Sequence, residues 1–252
     1  MIRFNEHRMT EASRREVLER LRLTPMGRRE ILLIGAGSAV LAAVGVACVF
    51  AQHLGGGLLI LVAAIIGGMG LLFFRDPCRC VPADPRVLVA PADGRVTDIT
   101  CMEHDPELGT ATVKISIFLS VLDVHINRSP CSGIVQSVEH RQGHFFDARD
   151  ARAGTANEAT TIVIKPDENG IDRVIVRQIA GRIARRIVCL LEPGDRVERG
   201  QRIGMIKFGS RTDLIIIGQR DCKPAVEVGT RARGAVTVVA RLMIDSLEEG
   251  GK

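Results

Sequence analysis

The sequence predicts an all-β soluble domain, a sandwich or partly open barrel with an internal quasi-repeat, preceded by an α-helical two-span transmembrane hairpin. Three observations carry this. Residues Ile31 to Phe74 form a run of 44 positions without a formal charge, broken only by the polar pair Gln52 and His53. From about Pro82 the pattern changes to short β-branched runs separated by Gly, Pro, Asp and Asn. No long segment beyond that point has a helical period.

Residues 1–30 carry eight Arg. Ser13-Arg14-Arg15-Glu16 has the form of a capping box, and Val17, Leu18 and Leu21 share one side of the helix that would follow, until Pro25 stops it. Such a helix can lie on an anionic leaflet or simply be solvated. The uncharged run that follows is too long for one span: as a single helix it would measure about 66 Å, roughly twice the hydrocarbon thickness. Two helices are predicted, Ile31–Ala51 and Leu54–Phe74, joined by a tight turn. Gly35, Gly37, Gly45, Gly67, Gly68 and Gly70 offer small faces for close packing. Arg75, Arg79 and Arg86 follow the second span while the turn carries no formal charge, which places both flanks in the cytoplasm. The organisation expected is thus 1–30 basic amphipathic, 31–74 membrane hairpin and 75–252 β-rich.

Strands are predicted at Val87–Ala90, Arg95–Ile99, Thr112–Phe118, Ile134–Val138, Thr160–Ile164, Arg173–Ile179, Ile183–Leu190, Arg202–Phe208, Leu214–Ile217 and Ala235–Ile244. The quasi-repeat rests on Pro91-Ala92-Asp93-Gly94-Arg95-Val96, echoed by Pro130-Cys131-Ser132-Gly133-Ile134-Val135, each a turn feeding a strand. Glu192 to Gln201 resembles the turn of biotinyl and lipoyl carrier domains, which speaks to fold alone.

Composition excludes several classes of function. With 34 Lys+Arg against 29 Asp+Glu the net charge is only +5, and the chain has no Trp or Tyr and 8 Phe, so a stacking platform for nucleic acid is not expected. The seven Cys show no CxxC pair and no His at zinc-ligand spacing. They read as reduced thiols, and no metal site is expected.

Three features exceed what an inert β domain needs. Asp93 lies in a Pro-Ala-Asp-Gly turn, although Asp before Gly is ordinary turn chemistry. His125, in Leu122-Asp123-Val124-His125-Ile126-Asn127-Arg128, is the one histidine set in an apolar strand pattern, where a hydrogen-bonded structural role is the alternative. Gly209-Ser210-Arg211-Thr212 separates two predicted strands and reads as a hairpin tip. Gly209 there permits close backbone approach and unusual dihedrals, as attack on its own carbonyl would require.

Taken in order, Asp93 in its turn, His125 in LDVHINRSP, Ser210 in KFGSRTDL and the segment Ile179 to Cys189 (IAGRIARRIVC) resemble the short bacterial form of phosphatidylserine decarboxylase. The resemblance covers nearly the whole chain. It implies a self-processing enzyme with a covalent pyruvoyl cofactor derived from Ser210. On that resemblance Asp93 orients His125, and His125 takes the Ser210 hydroxyl proton. The Ser210 oxygen attacks the Gly209 carbonyl, giving an ester. Elimination then leaves dehydroalanine, which hydrolyses to the pyruvoyl group. Chains 1–209 and 210–252 result and remain associated. The pyruvoyl ketone forms a Schiff base with the serine amine of phosphatidylserine and acts as the electron sink for CO2 loss, yielding phosphatidylethanolamine. The membrane hairpin suits a lipid substrate, and a homodimer is left open.

The chain departs from the longer members of that family in two places. Leu122 stands where they carry a second His, so His125 or His144 is the candidate proton donor in decarboxylation. Arg211 follows the Gly-Ser motif in place of Thr and is a candidate partner for the lipid phosphate or carboxylate. A competing reading is a membrane-anchored biotinyl- or lipoyl-like carrier modified at Lys207. Its flanks, Met205-Ile206-Lys207-Phe208, lack the pattern of those carriers.

Overall fold

The computed structural model describes residues 23–103, 110–150, 152–167, 170–182, 186–207, 209–218 and 222–242. The chain divides into two compact units, Met1–Cys78 and Arg79–Lys252.

In the first unit, α1 (Arg28–Phe50) and α2 (Gly56–Phe73) replace the two predicted spans. Both are long and apolar enough to cross a membrane, with mean hydropathy 2.4 each. They pack closely at one crossing: a methyl at Gly45 would lie 2.9 Å from the Gly56 carbonyl oxygen, and one at Gly56 would lie 2.6 Å from that of Gly45. Gly70 packs against Ile34, whereas Gly35, Gly37 and Gly68 face open space, so the small face is narrower than the sequence suggested. Thr24 N–H donates to Phe74 O at 2.9 Å and Leu23 bridges Arg75. The chain leaving α2 is thereby tied to the chain entering α1, and the unit runs on past Phe74. The helix expected over 14–22 lies outside the described residues.

The second unit is β-rich. Its strands are β1 (Val87–Val89), β2 (Gly94–Met102), β3 (Thr112–Leu119), β4 (Ile126–Arg128), β5 (Gly133–Arg141), β6 (Ala159–Pro166), β7 (Arg173–Ala180), β8 (Arg186–Cys189), β9 (Arg196–Val197), β10 (Arg202–Lys207), β11 (Ser210–Ile217), β12 (Cys222–Pro224), β13 (Arg231–Ala232) and β14 (Val238–Leu242). One short helix, α3 (Ala153–Ala156), interrupts them. An eight-stranded sheet has the order β13-β2-β3-β11-β7-β6-β5-β9, and two three-stranded sheets have the orders β1-β14-β12 and β4-β10-β8. Val96, Ile115, Ile162, Val176, Ile203 and Leu214 belong to one buried cluster.

The quasi-repeat is real and detailed. Both β2 and β5 open on a glycine pressed against the carbonyl of the neighbouring strand, and both carry a register shift just after it, at Val96/Asp98 and Val135/Ser137. Val96 N–H donates to Thr230 O and Val135 N–H to Asp195 O, each at 2.9 Å. Across the local axis Arg128 N–H donates to Pro91 O and Val89 N–H to Pro130 O. The strand orders match in the same way: β1, β2, β3, β11, β12, β13 and β14 correspond to β4, β5, β6, β7, β8, β9 and β10. The second repeat is therefore continuous from β4 to β10 and interrupts the first, which resumes at β11.

This corrects one expectation. Residues 209–212 are no hairpin tip, because β10 pairs with β4 and β8 while β11 pairs with β3 and β7. The chain changes sheets at Gly209, and Ser210, Arg211 and Thr212 already belong to β11.

Candidate active site

The sheet change needs a sharp reversal, and Gly209 supplies it with φ +64, a left-handed value that side chains disfavour. Ser210 follows as the first residue of β11, flanked by Leu119 of β3 and Ala180 of β7. It is fully buried, and its hydroxyl makes no hydrogen bond to a described residue. A buried hydroxyl without a partner is costly, so its retention here calls for a chemical reason.

His125, fully buried, immediately precedes β4. Its Nδ1 lies 2.9 Å from the Asp123 carbonyl oxygen. A carbonyl can only accept, so the network assigns the proton to Nδ1 and leaves Nε2 with its lone pair. Gly209 N–H donates to that Nε2 at 3.5 Å. The structure thus brings His125 to the Gly209–Ser210 junction with its basic nitrogen foremost. Asp123 is itself fixed: Oδ2 accepts from the backbone N–H and hydroxyl of Ser120, both at 2.9 Å, and Oδ1 pairs with Arg231 at 2.9 Å.

Asp93 makes other contacts. Its Oδ2 pairs with Arg79 at 2.7 Å and its Oδ1 accepts Gly234 N–H at 2.8 Å. It reaches the histidine strand only through its turn, since Pro91 O accepts both Arg128 N–H at 2.9 Å and Asn127 Nδ2 at 3.5 Å.

Arg211 points to the other face of β11, as alternation requires. Its Nε lies 2.9 Å from Asp213 Oδ1, Nη2 donates to Asp213 Oδ2 at 3.1 Å and Nη1 donates to Ala148 O at 3.3 Å. Gly154 packs on the same guanidinium. Pairing with a lipid phosphate would require this buried arrangement to open. His144 is exposed in the segment between β5 and α3, with its ring 5.4 Å from that of Phe146 and its backbone held by Ala156 and Glu158. In the same segment Arg149 stacks over Phe118, and its hydrogen bonds to Asp147 hold that carboxyl down to about 2. Lys207 is buried in β10 opposite Arg186, unlike a carrier lysine presented at an exposed turn.

One layer below the junction is a polar cluster that sequence reasoning missed. Gln178 Nε2 donates to Asn127 Oδ1 at 2.8 Å, and Asn127 Nδ2 donates to Thr212 Oγ1 at 2.9 Å. All three are fully buried. Each lies two residues along its strand from Ala180, His125 or Ser210, so the cluster cross-links the three chain segments that meet at the junction. Gly181 was also passed over. It stood inside a quoted motif with no role, and it lies against the Gly209 carbonyl.

A domain that sets an unprotonated histidine nitrogen against its own Gly–Ser peptide has the layout of a self-processing proenzyme. Comparison with known proteins agrees. The profile described as phosphatidylserine decarboxylase matches residues 69–240. A phosphatidylserine decarboxylase proenzyme of Chlorobium luteolum is 42% identical over 219 residues, covering 87% of this chain and 99% of the relative. Proenzymes of the same name from Pelobacter propionicus and Trichlorobacter lovleyi are 45% and 49% identical, covering 71% and 68% of this chain and 79% and 75% of theirs. The chain belongs to the phosphatidylserine decarboxylase family.

Proposed function

We propose that the chain cleaves itself between Gly209 and Ser210 and that the processed enzyme decarboxylates phosphatidylserine to phosphatidylethanolamine at a pyruvoyl group derived from Ser210. The observation that carries this is the Nε2 lone pair of His125 directed at the junction where the buried Ser210 hydroxyl sits without a hydrogen-bond partner among the described residues.

In the cleavage step His125 Nε2 takes the hydroxyl proton as general base while the Ser210 oxygen bonds to the Gly209 carbonyl carbon. Collapse of the adduct breaks the Gly209–Ser210 C–N bond, and the proton passes from His125 to the freed amine, leaving an ester. Asp123 O holds the imidazole in the required tautomer. Asp93 acts at one remove, by fixing through Arg79 and Gly234 the turn whose Pro91 carbonyl anchors the strand after His125. The residues present fit a pyruvoyl precursor, because the serine is already buried between β3 and β7. Once made, that group supplies the electron sink that loss of CO2 from an amino acid needs. His125, no longer engaged in cleavage, lies at the same junction and can carry the proton for the product. The two apolar helices suit a lipid substrate, and the Arg residues flanking both of them support a β domain on the cytoplasmic side.

Intact-mass measurement and denaturing electrophoresis of the detergent-solubilised protein test this. Wild type should give chains 1–209 and 210–252, the smaller blocked to Edman sequencing and modified by hydroxylamine. Ser210→Ala and His125→Ala should each remain one chain. Cleavage of Ser210→Ala at the same bond would overturn the reading.

A further inference from the structure

Gly181 follows β7 directly and is buried, and its backbone is not left-handed. Conformation therefore does not demand a glycine. Space does: a methyl built there overlaps the Gly209 carbonyl oxygen and stands 3.2 Å from the Gly209 carbonyl carbon and 3.3 Å from the Ala148 methyl. Gly209 shows the reverse, a left-handed φ of +64 and nothing within 4 Å of its own missing side chain. The two glycines divide the requirement. One lets the chain turn, and the other clears room for the carbonyl that the turn presents.

We propose that Gly181 is a positioning residue for self-cleavage, reserving the volume in which the Gly209 oxygen becomes an oxyanion. The inference rests on the reading that Ser210 attacks Gly209. As the Oγ–C bond forms, the carbonyl π pair moves onto oxygen and the C–O bond lengthens into the space beside Gly181. When the adduct collapses the pair returns and the C–N bond breaks. A side chain at 181 displaces that oxygen in the ground state and crowds it further as charge develops, where positional errors of about 1 Å cost about 100-fold in rate.

The test follows chain appearance during cell-free synthesis of the full-length protein with phosphatidylserine-containing vesicles. Gly181→Ala should slow cleavage about 100-fold, with the shape of its pH profile unchanged because His125 is untouched. In the uncleavable Ser210→Ala background the same substitution should leave the thermal midpoint within about 3 °C, roughly 1 kcal/mol for a domain this size. The double variant Gly181→Ala/Ala148→Gly removes the Ala148 contact while keeping the overlap with Gly209 O, and should remain slow. Slowing of less than tenfold, recovery in the double variant, or a fall in midpoint that accounts for the lost rate would each overturn the proposal. Cleavage persisting in Ser210→Ala would instead show that the underlying assignment of the nucleophile is wrong.

Discussion

Replacing Arg211 with Met tests whether its buried ion pair with Asp213 holds β11 and its neighbours together. Its side chain is 10% exposed and that of Asp213 is 2% exposed, with the guanidinium spread over both carboxylate oxygens and the Ala148 carbonyl. Arg211→Met keeps the stem but strands the Asp213 carboxylate in the sheet. Removing one partner of a buried pair costs about 3–5 kcal/mol, because the remaining charge keeps its desolvation penalty. For a unit of this size each kcal/mol moves the thermal midpoint about 2–4 °C, so a fall of about 6–20 °C is expected. The assay is thermal unfolding of the full-length Ser210→Ala precursor in detergent, which removes processing as a variable. Arg211→Met/Asp213→Leu should recover most of the loss, since an apolar pair of similar volume is often no worse than the ion pair. A fall below about 3 °C for the single variant, about 1 kcal/mol, would refute the structural role. If that result came with weakened binding of phosphatidylserine vesicles, it would return Arg211 to the substrate.

Three further outcomes follow from the geometry. Asn127→Leu should lower the midpoint of the precursor by about 4–24 °C, since Gln178 and Thr212 are each left buried without their partner at about 1–3 kcal/mol apiece, at about 2–4 °C per kcal/mol; a neutral result would mean the cluster is hydrated. Gly209→Ala, sterically free but left-handed, should slow cleavage only about five- to thirtyfold, the kinetic equivalent of about 1–2 kcal/mol of backbone strain; complete blockage would point to a steric role that the open space around Gly209 denies. Burial pushes the Cys222 thiol from 9.0 up to about 11. At about pH 8 its thiolate population, and hence its alkylation, should be about 100-fold below that of an unperturbed thiol. The folded form favours protonated Cys222, so its contribution to stability is full below pH 9.0 and disappears as pH rises through about 11. Mass-resolved alkylation showing Cys222 as reactive as exposed Cys78 and Cys80 would contradict the assignment.

What the sequence made legible was what short-range pattern encodes. The uncharged run became α1 and α2, and each predicted strand has a counterpart because β-branched alternation is local. Missing were β4, β9, β12 and β13, of two or three residues each, too short and too polar to register as periodic. Alternation also does not say which sheet a strand joins, so Arg202–Phe208 and Leu214–Ile217 looked like hairpin partners although they lie in different sheets. The site divided in the same way. Ser210 and His125 stood out by residue type in context. The Asn127 cluster is assembled from residues 51 and 85 positions apart, and the Asp93 contacts with Arg79 and Gly234 span 14 and 141. Only the fold shows that Asp93 contacts Arg79 and Gly234 around a turn and that a backbone carbonyl faces the imidazole.

The topology also suits the proposed cut at this bond. Gly209–Ser210 is the junction at which the continuous second repeat ends and the interrupted first repeat resumes, so cleavage separates two pieces without opening either sheet. The small piece begins with β11, which lies inside the eight-stranded sheet with eight-residue ladders to β3 on one side and β7 on the other. Leu214 and Ile216 anchor it in the core, and β14 pairs with β1 of the large piece. The proposed cut would remove one covalent link between the central strands of two sheets, with the hydrogen-bond ladders on either side left in place. Self-cleavage placed in the middle of β11 would divide that strand between the two pieces. Placing the proposed nucleophile as the first residue of a central strand instead pairs it on both flanks, with the peptide ahead of it carried on a left-handed glycine.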